Sequence, residues 1–480
     1  MGPVSDFTLM LTRREMLLAL GALPIAGLVG RNRLYADAAR ELPRRLLGRT
    51  GREVVPLGLG GQGSLQWTRP GLDAPDIIVR AVQLGINYLD TSNIYGPSQE
   101  YYGEAFRRLH LKPTDPHYDV GLRESLFLNS KAHRRFAREP VRTGPTAIDE
   151  LKTALTLMFG DGKGFIPEGA YLDSFQVHNL SLPEQVEEIY EGMAERGSRM
   201  PERIGVLPAL LDYRDGTNYT GLNPENRRYL RHIGITGHWN SPVLMRALRW
   251  DKDNIIDTLL VALNANDRIC LPHQNNVLPL AIAKGLGVIA MKIFADGAFY
   301  GKPARNTIDY NDVVSSVGKS GAIAYSDLVR YPLSLPGVTC AITGIGQIDR
   351  DHPENDQLVA NLAAARMDMP SALERRRIEQ EAEARHGGTN YFQDKLRGIV
   401  QPSDVRARHD GDRIVVEWNT ALAGADPIRS YEIRSGEKLL LAVPFRPQLT
   451  EAPLSVSVPS AEVGPEGVTV VASEAAPRPS

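Results

Sequence analysis

The sequence predicts an α/β chain, a (β/α)8 TIM barrel followed by a small all-β sandwich. Two observations carry this. Between residues 45 and 365 eight short apolar runs alternate with amphipathic stretches, the pattern of parallel strands joined by helical crossovers. Beyond Gln401-Pro402 the periodicity changes to two, with apolar residues at every second position.

The elements follow in order. Residues 46–54 turn through Arg49-Thr50-Gly51 as a hairpin. Strands are expected over residues 55–60, 87–91, 126–131, 172–178, 232–236, 258–264, 287–292 and 339–344. After the first, Asp73 and Pro75 suit a first helical turn, Ile77, Ile78, Ala81 and Val82 form an apolar stripe, and Gly85 ends it. Further helices are expected over 146–158, 183–196, 242–250, 276–284, 321–333, 355–365 and 374–385. Residues 111–122 and 198–231 read as insertions with little periodicity, the second rich in turn-formers such as Asp215-Gly216 and Asn223-Pro224. In the last part Ile414, Val416 and Trp418 share a face, as do Tyr431 with Ile433, and Val468 with Val470 and Ala472. The order Pro402, Trp418, Tyr431 resembles a fibronectin type III module. The expected boundaries are a signal over 1–38, the barrel over 39–385, a linker over 386–400, the sandwich over 401–474 and a tail over 475–480.

Composition excludes several function classes. With 42% hydrophobic and 23% charged residues the chain reads as globular rather than disordered. The net charge of -2 carries no footprint for nucleic acid. Two cysteines, Cys270 and Cys340, are too few for a disulfide framework or a four-cysteine cluster, and no metal site is expected. No apolar run reaches the roughly 20 residues of a membrane span. Near the start, Arg13-Arg14 precede an uncharged run over 16–30 and Ala36-Asp37-Ala38, which together resemble a twin-arginine export signal. The expected location is the periplasm or another exported site.

In a TIM barrel, reactive groups sit at the C-terminal ends of the strands. Those ends carry Asp90, then Tyr95 five residues on, Lys131 and His178. A lysine ammonium beside a tyrosine favours phenolate and is expected to lower its pKa. An aspartate can hold the lysine, and a histidine can orient a carbonyl oxygen or share the proton. Gly58, Gly60 and Gly63 also match a dinucleotide fingerprint, but Pro70-Gly71 soon interrupts the helix it requires, and Asp90 lies 27 residues beyond Gly63 rather than about 20.

The chain resembles the aldo-keto reductase family. The likeness rests on Gly85-Ile86-Asn87-Tyr88-Leu89-Asp90-Thr91-Ser92-Asn93-Ile94-Tyr95-Gly96-Pro97-Ser98-Gln99-Glu100 with Gly103. Ser130-Lys131, Gln176-Val177-His178-Asn179, Ile233-Gly234-Ile235-Thr236 and residues 285–292 follow in the family's order. The resemblance implies a nicotinamide cofactor, usually NADP with NAD as the other choice, and reversible reduction of a carbonyl. It makes Tyr95 the general acid/base, Lys131 its modulator, Asp90 the lysine's partner and His178 the substrate-orienting group. Cofactor contacts are expected from Gly61, Thr236, His238, Asn264, Lys292, Gly344, Gln357 and Asn361. Thr236-Gly237-His238 stands where many members have Ser-Asn, Asn264 replaces a glutamine, and Ile293 replaces a proline. The expected substrate is a small carbonyl compound, with a sugar among the candidates. The alternative is a non-catalytic barrel that binds a polysaccharide or partner protein at the cell surface through its C-terminal module.

Overall fold

A computed structural model describes residues 42–133, 143–267, 272–303, 307–315, 317, 323–386 and 398–474. The expected signal over 1–38 and tail over 475–480 lie outside the described residues.

Among the described residues, eight parallel strands close into a barrel: β1 (Leu57–Leu59), β2 (Tyr88–Asp90), β3 (Phe127–Ala132), β4 (Leu172–Val177), β5 (Leu230–Gly237), β6 (Ile256–Ala262), β7 (Gly287–Met291) and β8 (Val338–Thr343). Closure is made where Ala341 of β8 pairs with Leu57 of β1. Each strand coincides with an apolar run of the sequence, because strands covered by helices outside and by side chains inside are buried on both faces.

Below the barrel, Arg45–Leu46 and Glu53–Val54 form the expected hairpin. Leu47 and Val54, both fully buried, close the barrel floor with Tyr88, Phe127, Leu260 and Ile289. Arg49 fastens this plug by donating to Asp257 Oδ1 (2.9 Å) and the Lys284 carbonyl (2.7 Å). Gly48 sits at φ +50°, and a Cβ there would collide with the backbone at Leu286–Gly287.

Ten helices among the described residues are labelled here: α1 (Ala74–Gln83), α2 (Ser98–Arg108), α3 (Thr143–Met158), α4 (Pro183–Tyr190), α5 (Val206–Asp215), α6 (Ser241–Trp250), α7 (His273–Ala283), α8 (Tyr325–Leu333), α9 (Gln357–Arg366) and α10 (Ala372–His386). Two of them, α2 and α5, are not among the expected helices. The Gly-Pro-Ser start of α2 and its polar Gln99, Glu100 and Glu104 mask an inner face of Tyr102, Ala105 and Phe106. The insertion over 198–231 holds α5, buried almost all round and therefore without amphipathic contrast. The helix after β4 ends at Tyr190, shorter than expected, and gives way to turns.

Beyond the barrel stand two three-stranded antiparallel sheets. One orders β9 (Ser403–Asp410), β10 (Arg413–Asn419) and β13 (Leu454–Pro459); the other orders β12 (Lys438–Pro444), β11 (Ser430–Ser435) and β14 (Thr469–Ser473). Ile414, Val416, Trp418, Tyr431, Ile433, Val470 and Ala472 form their shared core, while Val468 packs against it half-buried. The connection after β10 meets α7: Asn276 Nδ2 donates to the Ala423 carbonyl (3.0 Å) and Asn276 Oδ1 accepts from Ala423 N–H (2.7 Å).

Candidate active site

Strand pleat and register bring the reactive side chains together. Asp90 pairs in register with Asn129, and Lys131 with Gln176, so the acid and the lysine project into the barrel from neighbouring strands. Lys131 Nζ donates to Asp90 Oδ1 (2.7 Å), Asp90 Oδ2 (2.6 Å) and the Thr91 carbonyl (2.9 Å). Both side chains are essentially inaccessible to solvent. Burial pushes the Asp90 carboxyl up and the Lys131 ammonium down, and each opposes the shift in the other. Removing one partner of such a buried pair costs about 3–5 kcal/mol.

A polar chain beneath the pair was not singled out in the sequence. Asn129 Nδ2 donates to Asp90 Oδ1 (2.8 Å) and to Gln176 Oε1 (3.1 Å), and Gln176 Nε2 donates to Thr258 Oγ1 (3.0 Å). Gly234 makes room for it, since a Cβ there would lie 2.7 Å from the Gln176 side chain. The signal was present as polar residues inside otherwise apolar strands, at the inward positions of β3, β4 and β6.

Tyr95 lies in the loop after β2. Its hydroxyl stands 3.5 Å from His178 Nε2, and Lys131 Nζ is 4.8 Å from its ring centroid. Because the lysine's hydrogen bonds go to Asp90 and Thr91, it acts on the phenol through its field. The expected lowering of the tyrosine pKa does not occur: burial, followed by the Asp90 charge, holds the phenol well above its usual value. Tyr95 is therefore a protonated acid at neutral pH.

Asp90, Tyr95, Gly61, His238, Lys292, Gly344 and Gln357 line one cavity of about 140 Å³ at the C-terminal ends of the strands. A Cβ on Gly61 would strike the Asp90 carbonyl, so this glycine lets the first loop press against β2. Lys292, at φ +58°, donates to Gln62 Oε1 (3.1 Å) and Asp296 Oδ1 (3.0 Å). His238 Nδ1–H donates to Asn179 Oδ1 (2.9 Å); burial, then Lys292, holds its pKa well below the usual histidine value, so it is neutral. Gln357 Oε1 accepts from Gly346 N–H (2.8 Å).

Three expected contacts are not among the cavity's lining residues. Thr236 Oγ1 accepts from Asn179 N–H (2.7 Å) and ties the loop after β4 to β5. Asn264 Oδ1 accepts from Asn266 N–H (3.0 Å) and Asp267 N–H (3.1 Å), folding its own loop. Asn361 lies one layer out, donating from Nδ2 to Thr343 Oγ1 (3.3 Å) beneath the lining. His133, which sequence reasoning passed over, places its ring 5.6 Å from that of His178.

Residues 56–196 match the model of the Aldo/keto reductase family. That stretch holds Asp90, Tyr95, Lys131 and His178. No curated protein matches the chain. Among solved structures it is similar to the aldo-keto reductase AKR11C1 from Bacillus halodurans in its holo form, at 19% identity and TM-score 0.47, covering 72% of this chain and 97% of that one. It is also similar to an aldo/keto reductase from Klebsiella pneumoniae in complex with NADP and acetate, at 17% identity and TM-score 0.43, covering 70% and 94%.

Proposed function

We propose that the barrel is an NADP-dependent oxidoreductase that interconverts a carbonyl and an alcohol. The observation that carries this is the grouping of Asp90, Lys131, Tyr95 and His178, with Lys131 bonded to Asp90, His178 beside the Tyr95 hydroxyl, and Asp90 and Tyr95 lining the cavity, inside the stretch that matches the family model.

The residues present fit the nicotinamide end of the cofactor. A cavity of about 140 Å³ has room for one six-membered ring, close to the ~150 Å³ of a dry cavity that takes up benzene. Gly60, Gly61, Gly63 and Gly344 leave its lips free of side chains. Lys292, His238 and Gln357, which line the cavity, would hold the nucleotide.

NADP supplies the hydride when bound. The chain does the rest. His178 orients the carbonyl oxygen beside the Tyr95 hydroxyl, whose raised pKa keeps the proton in place until charge develops on that oxygen. As the proton leaves Tyr95, the Lys131 ammonium stabilises the phenolate through the ring, and Asp90 keeps the lysine charged and fixed.

This reading extends to export. The Arg13-Arg14 segment supports passage in the folded state, with the nucleotide loaded beforehand and recycled within one catalytic cycle on a sugar. The two small sheets, with Trp418 packed on Tyr431 at 5.3 Å in their shared core, support a fibronectin type III-like module over 401–474.

The test is nucleotide content. Protein purified from the exported fraction is denatured and the released nucleotide identified by mass spectrometry. About one equivalent of NADP is expected for a closed cycle of this type. No released nucleotide, together with no binding of added NADP or NAD, contradicts the reading.

A further inference from the structure

The opposite end of the barrel carries a second cavity, of about 640 Å³, between the N-terminal approaches to β4 and β5. We propose that it binds a small molecule bearing two or more phosphate or carboxylate groups. Its size falls within the range of small-ligand pockets, roughly 300–1,000 Å³. Four arginines line it, Arg214, Arg227, Arg228 and Arg231, against a single lining carboxylate, Glu168.

The charges are unevenly compensated. Arg214 is held by Asp215 (2.7 Å), and Arg227 by Glu225 (2.8 Å) through Nε. Arg231 shares the one carboxylate of Asp173 (3.6 Å) with Arg123 (2.9 Å) and Arg52 (3.8 Å), three guanidinium groups to one acid. Arg228 is exposed and pairs with no carboxylate among the described residues. Its stem crosses the bare Cα of Gly216, where a Cβ would stand 2.8 Å from Arg228 Nε at φ +71°.

The loop that presents these arginines is built rigidly for an exposed segment. Asp212, fully buried at the end of α5, accepts from Thr217 Oγ1 (2.7 Å), Thr220 N–H (2.8 Å) and Thr220 Oγ1 (2.7 Å). Buried Asn223 donates to the Arg227 carbonyl (2.9 Å) and accepts from Arg227 N–H (2.9 Å). Preorganised guanidinium groups match phosphate and carboxylate oxygens in fork geometry. The aromatic faces are already taken: Tyr171 lies between Arg123 and Arg231, each 3.9 Å from its ring, and Tyr229 stacks on Tyr213 at 5.6 Å. Recognition therefore runs through charge rather than stacking, and it does not depend on the catalytic reading of the other end.

The experiment is calorimetric titration of the full chain at low salt with pyrophosphate and, separately, citrate. Binding of at least one anion is expected, weakened at least tenfold by Arg228→Glu and progressively by added salt. Preference for pyrophosphate assigns a phosphorylated ligand; preference for citrate assigns a polycarboxylate. Arg228→Gln provides the same comparison without charge reversal. Failure of both anions to bind at millimolar concentration, or affinity unchanged in both variants, overturns the proposal.

Discussion

At the residue scale the site depends on where hydrogen-bond donors are spent. Burial raises the Asp90 carboxyl, and Lys131 and Asn129, which both donate to it, oppose that rise. Asn129→Leu removes the neutral donor at nearly constant volume. The Asp90 pKa then rises, and loss of activity on acidification begins at a higher pH, by about one unit for a charge-assisted bond of about 1.5 kcal/mol. A pH profile of turnover checks this, and an unmoved acid limb contradicts it. His273 offers a stability test. Its Nδ1 accepts from Ser241 Oγ (2.7 Å), its Nε2–H faces the His238 carbonyl (3.3 Å), and burial pushes its pKa down to about 4. A histidine depressed from about 6.5 in the unfolded chain leaves stability intact above that pH, and its contribution is lost as pH falls towards 4. The full loss is about 3 kcal/mol. Urea midpoints at neutral pH and at pH near 4 should therefore diverge more for the native chain than for His273→Gln.

At the element scale, the eight strands were legible because burial on both faces leaves apolar runs of strand length. The two helices that were not legible show the limits of periodicity. α5 packs on α3 and β5 with Val206, Leu207, Leu210 and Leu211 all buried, so no polar face marks it. The candidate site divides in the same way. Asp90, Lys131, Tyr95 and His178 are tied to strand ends, and counting along the chain finds them. Thr236, near the end of β5, and Asn264, in the loop after β6, spend their side-chain oxygens on backbone N–H groups of loop residues, pairings invisible in one dimension. The contact of the C-terminal sheets with α7 is open to mutation. Asn276→Leu leaves the Ala423 N–H and carbonyl without their buried partners, at a cost of about 1–3 kcal/mol for each unsatisfied group. A lowered unfolding midpoint and faster proteolysis after residue 398 are expected; unchanged values of both contradict the docking role of this amide.

At the scale of the whole molecule, the barrel floor and mouth do different work. The floor is closed by a hairpin plug with Arg49 bonded across to β6, whereas the mouth keeps its polar groups around an open cavity. Chemistry is therefore confined to one end, which is where the central claim is tested. The measurement is a single turnover: the full chain is loaded with NADPH and mixed with an aldehyde, and loss of reduced-nicotinamide absorbance is followed in the native chain and in Tyr95→Phe. The account predicts a stoichiometric loss in the native chain and a slowing of 10²-fold or more in the variant, the contribution of a general acid, with NADPH affinity unchanged. Equal rates in the two proteins would contradict the role of Tyr95, and an NADPH-loaded native chain that reduces no aldehyde would contradict the function itself.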